Sequence, residues 1–123
     1  MLILEINTTD SDLLRVSLQD DSDEVACESL PARRRQAEEL IPAIERLLDG
    51  AGYSLNDLNQ ILVHNRGESF TALRIGIVTA NALSFALGIP VVGTEPNLPG
   101  EPDDLVLPKY ASDPDIIIKK RVL

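Results

Sequence analysis

Residues 68–93, ESFTALRIGIVTANALSFALGIPVVG, decide the fold. Ser69 stands ahead of an apolar run as an N-cap does, and Gly88-Ile89-Pro90 breaks the run. The stretch reads as a helix, a turn and a short buried strand over Ile89 to Val92. A surface helix shows one apolar stripe and one wet face. Here Phe70, Leu73 and Ile77 fall on one side, and Ile75, Val78, Ala82 and Phe85 on others. Such a helix needs cover on more than one side, by its own sheet and by something else. The function is therefore expected in what packs against it rather than in a catalytic pocket.

Upstream, Leu2 to Ile6 is a short apolar run expected as a central strand, and Asn7 to Asp12 is turn chemistry. Leu13 to Leu18 alternates after its first residue and predicts a second strand; Val25 to Leu30 predicts a weaker third, across the acidic turn Gln19 to Glu24. The turns are short enough for an antiparallel meander. Gln36 to Asp49 carries Ala37, Leu40, Ile41, Ile44, Leu47 and Leu48 at helical spacing. Pro42 inside that stripe predicts a lost hydrogen bond and a kink, or a fresh first turn. Gly50 and Gly52 end the helix. Ser54-x-x-Asp57 predicts one short capped turn, and Gln60 to His64 a fourth strand. The order is β-β-β-α-β-α-β, an α/β fold with a mixed five-stranded sheet and helices packed on it. It resembles the ribonuclease-H-like unit, which is also one lobe of actin-like ATPases.

At 123 residues the chain is expected to be one domain. Residues 1–94 form the lobe. Residues 95–108 hold four of the eight prolines and read as an extended linker; 109–123 are a tail. Ile116-Ile117-Ile118 in that tail either adds an edge strand, docks on a partner or packs on its own domain. The net charge of −9 argues against the chain gripping nucleic acid alone, because phosphate binding needs a basic footprint. A single cysteine, Cys27, makes no internal disulfide and, with no signal peptide, suits a cytoplasmic location. The longest apolar candidate for a membrane span, Ala72 to Ile89, is interrupted by Arg74, Asn81 and Ser84.

The chemistry-bearing residues are few. His64 is the only histidine and reads as a strand-end residue or as a lone ligand or base; no His-x-x-x-His pair exists. Asp10 and Asp12 beside Asn7 make a crude metal set or, as the better reading, a solvated hairpin turn. Cys27 is expected in the core. Arg33-Arg34-Arg35 meets phosphate or an acidic partner, or is a solvated helix entry, and the net charge favours the last. Arg74 pairs with Glu68 or across an interface. Ala72, Gly76 and Ala80, four apart, let another backbone approach, either a partner's or that of the domain's own sheet.

Glu38-Glu39-Leu40-Ile41-Pro42-Ala43-Ile44 with Leu47-Leu48, Gly52-x-Ser54-Leu55-x-Asp57-Leu58, Gly67-x-Ser69-Phe70-Thr71-x-Leu73-Arg74-Ile75-Gly76 and Ala86-Leu87-Gly88-Ile89-Pro90-Val91-Val92-Gly93 follow in one order. Over Leu2 to Gly93 this resembles the amino-terminal lobe of the bacterial TsaB (YeaZ-like) proteins. Those are non-catalytic partners of the enzyme that puts threonylcarbamoyl on adenosine 37 of tRNAs. Asn7 stands where the family has Asp, a poorer ligand for a hard cation. Arg66 and Glu68 replace loop glycines, and Gln36 replaces a histidine. Residues 95–108 stand where a second lobe would begin, so the chain looks like a shortened, single-lobe form.

The resemblance implies a cytoplasmic accessory subunit with no catalytic residues, metal or cofactor. The implied partner is a catalytic TsaD-like sister subunit, or a second copy in a homodimer, held by helix–helix packing; tRNA is engaged only indirectly and no membrane is involved. The interface is placed on Gln36 to Leu48 and Leu73 to Ser84, at Leu40, Ile44, Leu47, Ala72, Leu73, Gly76, Ile77, Ala80, Asn81 and Ser84. Two other readings are a small actin-like-fold nucleotide-binding enzyme and a homodimeric scaffold with an unrelated role. Asn7, Glu68 and the absence of a second lobe count against the enzyme, because actin-like folds hold nucleotide between two lobes.

Overall fold

A computed structural model describes residues 1–110. The isoleucine run of the tail lies outside the described residues. Strands β1 (Leu2–Asp10), β2 (Leu13–Asp20) and β3 (Asp23–Pro31) form the expected meander. Asp21 and Ser22 both take positive φ, 52° and 77°, as a two-residue hairpin turn requires if its twist is to match the flanking strands. Asp10 Oδ1 accepts the Asp12 N–H at 2.8 Å and closes the other hairpin as an Asx turn.

After the meander come α1 (Gln36–Ala51), a 3-10 turn at Leu55–Asp57, β4 (Gln60–Val63), the two-residue β5 (Arg66–Gly67) and α2 (Phe70–Leu87). β6 (Val91–Gly93) and β7 (Lys109–Tyr110) complete the described chain. The main sheet runs β3-β2-β1-β4-β6. β1–β2 and β2–β3 are antiparallel, and β1–β4 and β4–β6 parallel. This is the mixed five-stranded sheet read from the element order.

Alternation divides the sheet. Leu2, Leu4, Ile6 and Thr8 of β1 are buried with Leu14, Val16 and Leu18 of β2 and Ile61 and Val63 of β4. Leu40, Ala43, Ile44, Leu47 and Leu48 of α1 and Leu73, Ile77 and Ala80 of α2 close this core. The opposite face is polar. Across it, Glu5 accepts from Gln19 Nε2 and meets His64 Nε2 at 2.5 Å. Apolar in and polar out is the pattern of a sheet covered on one side.

Pro42 lies inside an uninterrupted α1, so no fresh first turn starts there. Gly50 is helical, and Gly52, at φ 81°, is the terminator. Ser54 N–H donates to Asp57 Oδ2 at 2.8 Å, the capped turn expected from the spacing. Ser69 caps α2, accepting the Ala72 N–H. By length and composition α2 is long and apolar enough to cross a membrane, with mean hydropathy 1.5 over 18 residues. The polar interruptions do not exclude a span as the sequence reading supposed. In the fold its sheet-facing side is a wall of the core.

Residues 95–110 are not an extended spacer but a strap packed on the domain. Val106 is 2% exposed within the core, and β7 pairs in parallel with β5. Proline content marks an irregular path, but side chains of the lobe supply the bonds that fix it.

Candidate functional site

The helix residues singled out from the sequence come together, but in the domain's own core. Leu40, Ile44, Leu47, Ala72, Leu73, Ile77 and Ala80 are at most 5% exposed, and Gly76 is buried. They have no surface left to offer a partner. Asn81 binds the strap, and Ser84 Oγ donates to Ile89 O at 2.5 Å, closing the C-terminal turn. The correction concerns the face of each helix. Which face turns outward depends on where the sheet lies, and a helix apolar all round carries no mark of that.

The outward ridge of α2 is Thr71, Arg74, Val78, Ala82 and Phe85, spaced three or four residues apart. Val78 is 64% and Phe85 91% exposed, and Ile41 of α1 is 44% exposed. A groove of about 450 Å³ between the helices is lined by Ala37, Phe70, Thr71, Arg74, Ile75, Val78 and Thr79. Spacing of three and four residues is what a helix presents to another helix. The sequence did signal these positions, because Ile75, Val78, Ala82 and Phe85 were the apolar residues left over on the other sides.

On the other flank of α2 lies the strap. Asn65, fully buried, donates to Glu95 O and Leu107 O at 3.1 and 3.0 Å. Its Oδ1 accepts from Glu95 N–H at 2.8 Å and from Thr94 Oγ1 at 3.3 Å. Asn81 repeats the device, donating to Val106 O at 3.0 Å and accepting its N–H at 2.9 Å. Lys109 Nζ donates to both Glu101 carboxylate oxygens, at 2.7 and 2.8 Å, which holds that carboxyl below the usual range. Tyr110 then stacks on Phe70, ring centroids 4.4 Å apart. Arg74 sits 5.4 Å over the Phe70 ring rather than against Glu68.

At the N-terminal end of α2 a hollow of about 650 Å³ is lined by Thr9, Asp10, Ser11, Arg66, Gly67, Glu68 and Ser69. Asn7 does not aim into it freely, since its Oδ1 accepts from Thr9 N–H and Oγ1 at 3.0 and 2.8 Å. Glu68 places a carboxylate where an anion would meet the helix. Among the described residues no three His, Cys, Asp or Glu side chains group as a metal site would. Cys27 is exposed, against the expectation of a core position, because β3 is an edge strand and turns it to the polar face.

A mixed sheet in this order with two helices on one face defines the class: the chain is an actin-like, ribonuclease-H-like lobe. The profile of the family described as "TsaD: tRNA N6-adenosine threonylcarbamoyltransferase" matches residues 30–95. A tRNA N6-adenosine threonylcarbamoyltransferase of Geotalea uraniireducens is 40% identical over 62 residues, 50% of this chain and 18% of that protein. The tRNA threonylcarbamoyladenosine biosynthesis protein TsaB of Bacillus subtilis is 30% identical over 92 residues, 74% of this chain and 39% of that one. The solved structure of YeaZ from Pseudomonas aeruginosa superposes with a TM-score of 0.70 at 28% identity, covering 76% of this chain and 43% of that one. The chain belongs to this threonylcarbamoyladenosine family, as a homologue of TsaB/YeaZ. It spans less than half the length of these relatives.

Proposed function

We propose that the chain is a non-catalytic, cytoplasmic accessory subunit. It binds and activates a TsaD-like catalytic partner for N6-threonylcarbamoylation of adenosine 37 in tRNA. The observation that carries this reading is the outward ridge of α2, with Phe85 91% and Val78 64% exposed beside Ile41 of α1. An apolar ridge at helical spacing is costly to leave in water and suits packing against another helix. A chain with one histidine cannot itself supply a His-x-x-x-His pair, so the partner must bring the catalytic group. The Asn7 and Glu68 substitutions weigh against nucleotide turnover at the α2 hollow.

Light scattering after size-exclusion chromatography tests this, with the chain alone and mixed with the sister subunit of the same organism. A 1:1 complex that is lost in Phe85→Asp supports the reading. A chain that forms only a homodimer and ignores the sister overturns it in favour of the scaffold role.

A further inference from the structure

Lys119, Lys120 and Arg121 lie beyond the described residues, which leaves eight of the eleven cations within them. Four are paired: Arg15 with Glu24, Arg35 with Glu38 and Glu39, Arg46 with Glu28, and Lys109 with Glu101. Arg33, Arg34, Arg66 and Arg74 make no ion pair among the described residues. On a chain with twenty acidic and eleven basic residues, an arginine without a carboxylate needs a reason. Three of the four converge. Arg66 and Arg34 line two hollows that share Ser11 and Ser69, and Arg74 lines a third that shares Phe70 and Thr71 with the second.

At the centre stands the Phe70–Tyr110 stack, its planes 12° apart and Phe70 51% exposed. It uses two of the four aromatic side chains of the chain. Exposed aromatic faces beside arginines are what unpaired bases and their phosphates bind: bases stack, and guanidinium groups take the phosphate oxygens. Asp10 and Glu68 line the same hollow as Arg66, which limits the contact to a few phosphates and disfavours a long duplex track.

We propose that this end of the molecule, formed by Arg34, Arg66 and Arg74 around the Phe70–Tyr110 pair, is a contact surface for single-stranded RNA. It rests on the accessory reading, which supplies the RNA, and it makes direct a contact that the sequence assigned only to the assembly. The strap belongs to the surface, because Tyr110 is its last described residue.

The test is fluorescence anisotropy of a short labelled RNA hairpin with the full chain in complex with the sister subunit, over a salt series. A fully paired duplex of the same strand length is the control. Neutralising three phosphates on a single strand contributes about −2 to the slope of log affinity against log salt. Raising salt fourfold should therefore cost the wild type about 20-fold more affinity than R34A/R66A/R74A. The lysine triple, R34K/R66K/R74K, should restore the slope, which a merely structural role would not require. Phe70→Leu should weaken hairpin binding about tenfold with the slope unchanged.

Equal affinity and slope for the wild type and the alanine triple, in an intact complex, would overturn the proposal. So would a duplex bound as tightly as the hairpin, or polyglutamate competing as well as RNA, which would assign the arginines to an acidic protein. If no complex with the sister forms, the same comparison on the chain alone at low salt still decides. The accessory reading then fails by itself, and the surface stands or falls on the variants.

Discussion

Thr8 of β1 and Gly76 of α2 hold the sheet and the second helix at their closest approach. Thr8 Oγ1 donates to Ala72 O at 2.7 Å, and a Cβ at Gly76 would overlap that hydroxyl and come within 3.2 Å of Thr8 Cγ2. The stripe Ala72, Gly76, Ala80 is small because the domain's own first strand lies against it. Of the two uses of that spacing, own sheet or partner, the fold takes the first.

Gly76→Ala should therefore destabilise the domain by about 1–3 kcal/mol, the usual cost of overpacking. The hydroxyl cannot swing aside without giving up its bond to Ala72. In urea denaturation the double variant Thr8→Ala/Gly76→Ala should be less destabilised than the two single effects summed, because the clash is gone. Strict additivity would show that the two residues do not press on one another.

Val78→Asp and Phe85→Asp should leave the melting temperature nearly unchanged, as exposed substitutions do, and weaken the sister complex by about 2 kcal/mol or more. Leu73→Asp and Ile77→Asp are not substitutes for them. Leu73 is fully buried and Ile77 3% exposed, so either change buries an unpaired charge and unfolds the domain. Circular dichroism melts beside a titration with the sister separate the two classes. Weak sister binding only in variants that also fail to fold would place the interface elsewhere.

Asn65→Ala should free the strap. It leaves Glu95 and Leu107 carbonyls and the Glu95 N–H without their partner in a buried place, at about 1–3 kcal/mol for each group left unsatisfied. Hydrogen exchange in residues 94–110 should accelerate while exchange in β1 and β2 changes less. Uniform acceleration across the domain would mean that the strap and sheet open as one unit.

Acid should loosen the strap by another route. Lys109 lowers the Glu101 carboxyl below its usual range, through its hydrogen bonds and charge. A depressed carboxylate adds stability above its unfolded pKa, and that contribution is lost as pH falls through the folded value. Strap protection should hold from neutral pH to the ordinary carboxylate range and decline only below it. Glu101→Gln should remove this decline, and an unchanged pH profile in that variant would assign the loosening to other carboxylates.

Local rules carried the elements. Ser69, Gly52 and Gly88, the Ser54–Asp57 box and the alternation of β1 and β2 act within a few residues, so strand order, helices and caps could be read along the chain. β5 and β7 could not, because two residues carry no period and each exists only through the other. The strap was likewise illegible, since Asn65 and Asn81 lie 30 and 25 residues from the backbone they hold.

The sequence by itself determined an α/β lobe of the threonylcarbamoyladenosine family with one helix too apolar to stand in water on all sides. Periodicity and capping are properties of neighbours in the chain, and they survive without coordinates. Only the tertiary structure decided that Leu73, Ile77 and Gly76 serve the core, and that Val78 and Phe85 face outward. Only it brought Arg34, Arg66 and Arg74 to one end with Phe70 and Tyr110. Those outcomes depend on which side of α2 the sheet occupies and where the strap returns. Both are set by packing between segments far apart in sequence, to which no local pattern is tied.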